Sequence, residues 1–243
     1  MANSTLRQHK VFLLVGGLGT RLRSAYAEGP KAMAPVADEP FLSYLLRQLE
    51  NAGFARIVLC LGYGHECIER WIRSEPRREV EIEFSVEDEP LGTAGAVRLA
   101  AQRYPVHESL FVLNGDSMLQ IDFSEMMAFH LQHGALATAG LAWVPDTGRY
   151  GAVELDDSAH IVAFREKANS HAAGYINGGV YIFEPAVVQA IPQQGAVSLE
   201  RTVLPGLCPA DLVGFTTEGY FLDIGVPEDF QRAQSEFKKL EWL

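Results

Sequence analysis

Apolar runs of strand length alternate with amphipathic stretches along the first half of the chain. Residues 11–15 (VFLLV) are continuously apolar, and residues 40–51 follow with Phe41, Leu45 and Leu49 on one helical stripe and Gly53 as a stop. The alternation continues with a strand at 56–61, a helix near 65–73, a strand near 80–86, a helix near 94–103 and a strand at 110–113. Strands that are apolar at every position are buried on both faces, so this rhythm predicts an α/β fold with a mostly parallel sheet flanked by helices. In the second half the pattern is shorter and β-like, at 136–144, 152–155, 161–165 and 176–183, which predicts a small β-rich insertion of antiparallel or mixed strands covering a pocket. A last helix is expected over 227–240, where Phe230, Ala233, Gln234 and Phe237 recur at helical spacing. Sheets of this kind bind ligands beyond the carboxyl ends of their strands. The segment after residue 15 and Asn114-Gly115-Asp116 both lie at such ends.

Composition narrows the partners more than the fold. The 243 residues hold no repeat, low-complexity tract or linker, so one domain over 1–243 is expected, its halves meeting near residue 120. A net charge of −11 argues against nucleic acid and anionic membranes as partners, because both demand a basic footprint. Any phosphate chemistry must therefore use a few local cations. Cys60, Cys67 and Cys208 are odd in number and lack C-x-x-C spacing, which reads as reduced thiols. Residues 1–9 have no apolar signal region, and no apolar run nears the roughly 20 residues of a membrane span, so the cytoplasm is expected. Histidines are not paired as metal ligands, and His130 and His133 read as a surface pair on a helix face.

The stretch "LVGGLGTRLR" directly follows the first strand. A P-loop would need G-x-x-x-x-G-K-[ST], and no such lysine is present; a dinucleotide fingerprint would need glycine where Leu22 stands. What remains is a loop in which Leu14, Gly16, Gly17 and Gly19 bring backbone N–H groups near an anion, followed by Thr20 and by Arg21, whose guanidinium clamps oxygens two at a time. Alone, it is equally an ordinary turn. Lys31 lies in Pro30-Lys-Ala-Met-Ala-Pro-Val36, where flanking prolines stiffen the segment and reduce the entropy lost when the lysine meets a ligand.

"GGLGTRLR", a short spacer and "PKAMAPV" together resemble the signature of the sugar-phosphate nucleotidyltransferases, with Ala32 where that signature usually has a second proline. Further blocks resemble the family in order: "EDEPLGTAG" over 87–95 its base and ribose loop, Asn114-Gly-Asp116 its metal-binding G-D, Phe164-Arg-Glu-Lys167 its sugar-phosphate E-K, Asn177-Gly-Gly179 its sugar-binding N-x-G, and Asp223 its second metal aspartate. The branch acting on heptose 1-phosphates with GTP is the most similar, because Arg23-Ser24 departs from the Pro-Leu common in the thymidylyl and uridylyl branches, and "VSLE" and "YFLDIGVPEDFQRAQ" are similar to the heptose branch.

The resemblance implies a Rossmann-like nucleotide-diphospho-sugar transferase fold, nucleotide-binding up to about residue 120 and sugar-binding beyond it. It implies attack of a sugar 1-phosphate on GTP, with pyrophosphate leaving and magnesium assisting. Implied roles are Arg21 on the departing pyrophosphate, Lys31 on the attacking or α-phosphate, and Asp116 and Asp223 on magnesium. Gly92 and Thr93 join the loop glycines around the nucleotide. Lys167 would hold the sugar phosphate, while Glu166, Asn177 and the backbone at Gly151 and Gly178 receive the sugar. Tyr150, Tyr175 and Trp143 are candidate walls, although aromatics in β-like segments more often belong to the core. Guanine presents N1–H and an exocyclic amine, and Glu87 is an all-acceptor group when ionised, so Glu87 is the candidate for base selection. A hexose 1-phosphate thymidylyl-, uridylyl- or cytidylyltransferase, a silent nucleotide-sugar sensor and a homo-oligomeric assembly all stay open at this level.

Overall fold

The computed structural model of the chain describes residues 6–17, 19, 22, 25, 26, 29–75, 79–165, 172–240 and 242, and all that follows concerns these. Thr20, Arg21, Arg23, Glu166 and Lys167 lie outside them.

The strands are β1 Lys10–Leu14, β2 Pro35–Val36, β3 Glu39–Pro40, β4 Arg56–Leu61, β5 Glu81–Val86, β6 Leu110–Asn114, β7 Ser117–Leu119, β8 Ala137–Val144, β9 Val153–Leu155, β10 Ile161–Phe164, β11 Gly174–Phe183, β12 Leu212–Thr217 and β13 Phe221–Asp223. The helices are α1 Phe41–Ala52, α2 His65–Ser74, α3 Gly92–Arg103, α4 Phe123–His133, α5 Pro185–Ala190, α6 Leu204–Leu207 and α7 Pro227–Glu236. The parallel strands β5, β4, β1 and β6 lie side by side, β11 runs antiparallel along β6, and β8 continues from β11 to the parallel β12.

The unbroken apolar runs are explained by burial on two faces. Along β1, Val11 and Leu13 enter one core cluster and Phe12 the other; β4 divides Ile57, Leu59 and Leu61 from Val58 and Cys60 in the same way. Helix boundaries follow local chemistry. Gly53 closes α1 in the left-handed region at φ 93°, and Asp122 caps α4 by accepting from the N–H groups of Ser124 and Glu125.

The second half departs from the expected pattern in its short pieces. The outer strand β12, the pair β7/β13, and α5 and α6 carry no period long enough to read, and β12 and β13 take their partners, β8 and β7, from distant chain; in the first half the two-residue strands β2 and β3 pair with each other and are too short to show a period. The surface pair expected on α4 is half wrong. His133 is exposed, but His130 is buried, bonded to Thr138 at 2.8 Å and to Glu184 at 3.0 Å, because its face of α4 packs on the sheet. Among the described residues no helix is long and apolar enough to cross a membrane.

β11 makes one switch that matters for the site. Tyr175 pairs with β9, whereas Val180 to Phe183 pair with β6, and the register against β8 shifts between Asn177 and Val180. Gly179 sits at that bulge with φ 75°, and a Cβ there would meet Ser117 Oγ at 2.7 Å. The bulge brings Asn177 beside the end of β6.

Candidate active site

At the carboxyl ends of β1, β4, β5 and β6 lies a cavity of about 880 Å³. Leu14, Gly16, Gly17, Gly19, Glu87, Gly92 and Thr93, all expected around a nucleotide, line it, together with Lys31 and Asp116. Glu87 lies along the backbone of the first loop. A Cβ on Gly62 would come within 2.8 Å of Glu87 Oε1 and one on Gly16 within 3.3 Å, so these glycines make room for the carboxylate. Its Oε2 accepts the Leu91 N–H at 3.1 Å, while burial pushes the Glu87 carboxyl above its usual range and the Leu91 bond pulls it partly back. The Thr93 hydroxyl is committed elsewhere: it accepts the Leu199 N–H at 2.8 Å and donates to Glu200 at 2.9 Å. Thr93 thus lines the cavity while its polar atom supports a neighbouring turn.

Lys31 begins a short 3-10 turn, Lys31–Met33, after Pro30. Its Nζ donates to Asp116 Oδ2 at 2.7 Å and stands 3.4 Å from Asp223 Oδ1, with its side chain only 10% exposed. The two aspartates come together through the β7/β13 ladder, in which Asp223 is opposite Ser117 and the Ile224 N–H donates to the Asp116 carbonyl. Gly225 leaves the needed space: a Cβ there would sit 2.7 Å from Asp223 Oδ1 and 2.9 Å from Lys31 Nζ. Burial and, after it, the Asp116 charge push the Asp223 carboxyl upward, with Lys31 and the Gly225 N–H opposing. Two oxygen donors that repel one another suit a hard divalent cation. Among the described residues no three His, Cys, Asp or Glu side chains form a metal cage, so phosphate oxygens and water would complete the shell.

A second cavity, about 540 Å³, shares Asn114, Asp116 and Glu200 with the first. Gly151 and Asn177 line it, as expected for the sugar side. Gly178 does not. A Cβ on Gly178 would strike Leu119 at 2.6 Å and the Gly140 carbonyl at 2.9 Å, so it faces the inside of the sheet, and Gly179 takes its place at the cavity. Asn177 spends part of its amide internally, donating to the Tyr181 hydroxyl at 2.8 Å and accepting the Gly179 N–H at 3.0 Å. Of the aromatic candidates Tyr150 is a wall of this cavity; Tyr175 and Trp143 pair across β11 and β8 outside it.

Three polar residues here were given no role in the reading of the sequence. Arg149 donates to the buried Asp229 at 2.6 Å and lines the sugar-side cavity with it, and Glu200 lines both cavities. Glu200 falls in the "VSLE" stretch and Asp229 in "YFLDIGVPEDFQRAQ", which marked the blocks but not these side chains. Neither names a partner, since Arg149 and Asp229 are 80 residues apart.

Residues 10–239 match the family described as Nucleotidyl transferase. The chain is 37% identical over 230 residues to a D-glycero-alpha-D-manno-heptose 1-phosphate guanylyltransferase of Aneurinibacillus thermoaerophilus, with 94% of this chain and 98% of that protein covered. It is 35% identical to a mannose-1-phosphate guanylyltransferase of Mycobacterium tuberculosis, covering 92% of this chain and 63% of the longer relative. The solved structure of HddC from Yersinia pseudotuberculosis complexed with GMP-PN aligns with a TM-score of 0.85 at 33% identity, covering 94% of this chain and 99% of that one. A putative glucose-1-phosphate thymidylyltransferase from Bacillus anthracis shares the fold at 20% identity and a TM-score of 0.81.

Proposed function

The chain belongs to the nucleotidyl transferase family, and on that premise we propose that it is a guanylyltransferase making GDP-heptose and pyrophosphate from GTP and D-glycero-α-D-manno-heptose 1-phosphate. The observation that carries this reading is Asp116 at the junction of two adjoining cavities, each of a size for one substrate, with Lys31 bonded to it from the nucleotide side. A phosphate oxygen of the sugar 1-phosphate attacks the α-phosphorus of GTP, the bond to the bridging oxygen of the β-phosphate breaks, and pyrophosphate leaves. Both reactants are anions, so repulsion and alignment form the main barrier, and no enzyme nucleophile is required.

The chain's own groups meet these demands. Lys31 supplies positive charge where the attacking oxygen approaches the α-phosphate, and its bonds to Asp116 and Asp223 hold the ammonium in place before substrate arrives. Asp116 and Asp223 would hold Mg2+, which when bound neutralises phosphate charge. Arg21 is assigned the departing pyrophosphate, and Lys167 with Glu166 the sugar phosphate and hydroxyls. The loop at Gly16, Gly17 and Gly19 gives the triphosphate close backbone approach. Glu87 Oε1 accepts from the guanine edge, an assignment supported by its position along the nucleotide cavity and by Oε2 being already bonded. The cytoplasm, where GTP is abundant, is the compartment assigned on this reading.

A matrix of GTP, UTP, dTTP and CTP against heptose, mannose and glucose 1-phosphates, read by pyrophosphate release, is the test. Fastest release from GTP with the heptose is expected. Faster release from UTP or dTTP would overturn the guanine assignment, and binding without release from any pair would favour a nucleotide-sugar sensor.

A further inference from the structure

Tyr63 is left 55% exposed in the wall of the nucleotide cavity, and among the described residues nothing hydrogen-bonds to its side chain or stacks on it. The backbone around it is fixed without its help. The register sets Leu61 of β4 beside Val86 of β5, so Gly62 falls next to Glu87, and a Cβ on Gly62 would also meet the Gly16 carbonyl at 2.9 Å. Gly64 turns in the left-handed region at φ 69°, where a Cβ would strike Pro30 at 2.8 Å. The Gly62 carbonyl accepts the His65 N–H at 3.2 Å and the Gly64 carbonyl accepts the Cys67 N–H at 3.0 Å, which leads the chain into α2. A backbone wedged between the first loop and Pro30 leaves the Tyr63 side chain free to cover a ligand.

The surroundings indicate which part of a nucleotide it covers. Gly62, one residue away, packs on Glu87, the group assigned to the edge of the base, and Leu14, Val86 and Pro90 add apolar surface to the same cavity. Tyr63 brings no positive charge to a phosphate. A flat, mostly apolar ring exposed in a cavity matches the face of a base, because stacking takes both faces out of water. A hydrogen bond from the Tyr63 hydroxyl to ribose is the alternative that the experiment must separate.

We propose that the ring of Tyr63 stacks on the face of the guanine of GTP while Glu87 reads its edge. This rests on the function proposed above and adds a residue to its nucleotide side. The two contacts divide the work: edge bonds distinguish guanine from other bases, whereas the stack supplies affinity without regard to the exocyclic groups.

The test is calorimetric binding of GTP and of ITP, each with Mg2+, to the full chain, beside steady-state kinetics with D-glycero-α-D-manno-heptose 1-phosphate. ITP lacks the exocyclic amine, so it loses an edge contact and keeps the stack. Tyr63→Ala is expected to weaken both nucleotides by the same factor, about 10-fold or more, the span of one base stacked on an aromatic ring. Tyr63→Phe should bind both within about twofold of wild type, and KM for the sugar 1-phosphate should be unchanged in either variant. An exposed side chain is removed at little cost to the fold, and thermal melting of both variants checks that. Binding by Tyr63→Ala equal to wild type overturns the inference. So does Tyr63→Phe as weak as Tyr63→Ala, which would assign the hydroxyl a hydrogen bond, and so does a loss on GTP without one on ITP, which would place Tyr63 behind the edge contact. A wild-type chain that binds GTP but forms no nucleotide sugar overturns the proposed function while the binding data still decide the stack; one that binds neither nucleotide overturns both.

Discussion

Lys31 is the cation between two carboxylates, and removing it leaves Asp116 and Asp223 facing each other across the place where phosphate oxygens must sit. Lys31→Met is expected to lower kcat by about 10²- to 10³-fold, the usual cost of deleting one donor aimed at developing charge, with a smaller effect on KM for GTP. Rapid-quench measurement of GDP-sugar formation checks this, and an unchanged kcat would remove Lys31 from the chemical step. Glu87 is assigned by the proposed function to selection rather than rate. Glu87→Gln replaces an acceptor pair by a mixed acceptor and donor, so the preference for GTP over UTP should fall about tenfold or more, one charged hydrogen bond's worth. A preference equal to wild type, measured by competition between the two nucleotides, would place guanine recognition elsewhere.

Elements meet the site through buried polar bridges, and these set its stability. Asp229, 2% exposed in the first turn of α7, accepts from Arg149 at 2.6 Å, from Arg232 at 3.1 Å and from the Tyr150 hydroxyl at 3.3 Å, tying the loop beside the sugar cavity to the last helix. Asp229→Ala should cost about 1–3 kcal/mol in urea unfolding, the penalty for donors left without their acceptor, and should loosen sugar binding more than nucleotide binding. A second bridge joins α4 to β11: Glu184 accepts from His130 at 3.0 Å and from Ser109 at 2.6 Å. Burial would raise the Glu184 carboxyl, but these two bonds and the histidine charge together hold it below its usual value. A carboxyl whose folded pKa is lowered contributes stability that is complete above its unfolded value, about 4.3, and is lost as pH falls through the folded value. Glu184→Gln should therefore unfold at lower urea than wild type at pH 7 and converge on it in acid; parallel curves down through acid would show that this carboxyl contributes no pH dependence.

At the scale of the whole molecule, the halves separated at residue 120 are joined by a continuous sheet. β11 from the second half pairs with β6 from the first, Glu200 and Gly225 line the nucleotide cavity, and Asn114, Asp116 and Ser117 line the sugar-side cavity. Neither cavity is complete within one half. Unfolding should accordingly be a single transition with coincident tryptophan fluorescence and far-ultraviolet circular dichroism; two resolved transitions would show halves that fold independently. GTP with Mg2+ at about 100 times its dissociation constant should add about 2.7 kcal/mol, a rise in Tm of about 5–10 °C for a chain of this size.

The sequence by itself determined the parallel core and marked many of the residues that line the two cavities. The runs at β1, β4 and β6 are legible because strands buried on both faces need apolar residues at every position, and Lys31, Asp116 and Asp223 are legible because each belongs to a short local motif. What a side chain faces was another matter. Gly178 belongs to the same three-residue block as Asn177 yet points into the sheet, because the bulge at Gly179 turns the strand; His130 is buried against the sheet although His133, one turn on, is exposed. Arg149, which donates to Asp229, and Thr93, which donates to Glu200, lie 80 and 107 residues away in the chain. Such pairs are chosen by packing of distant segments, and nothing in the local order of residues records that choice; only the tertiary structure decided it.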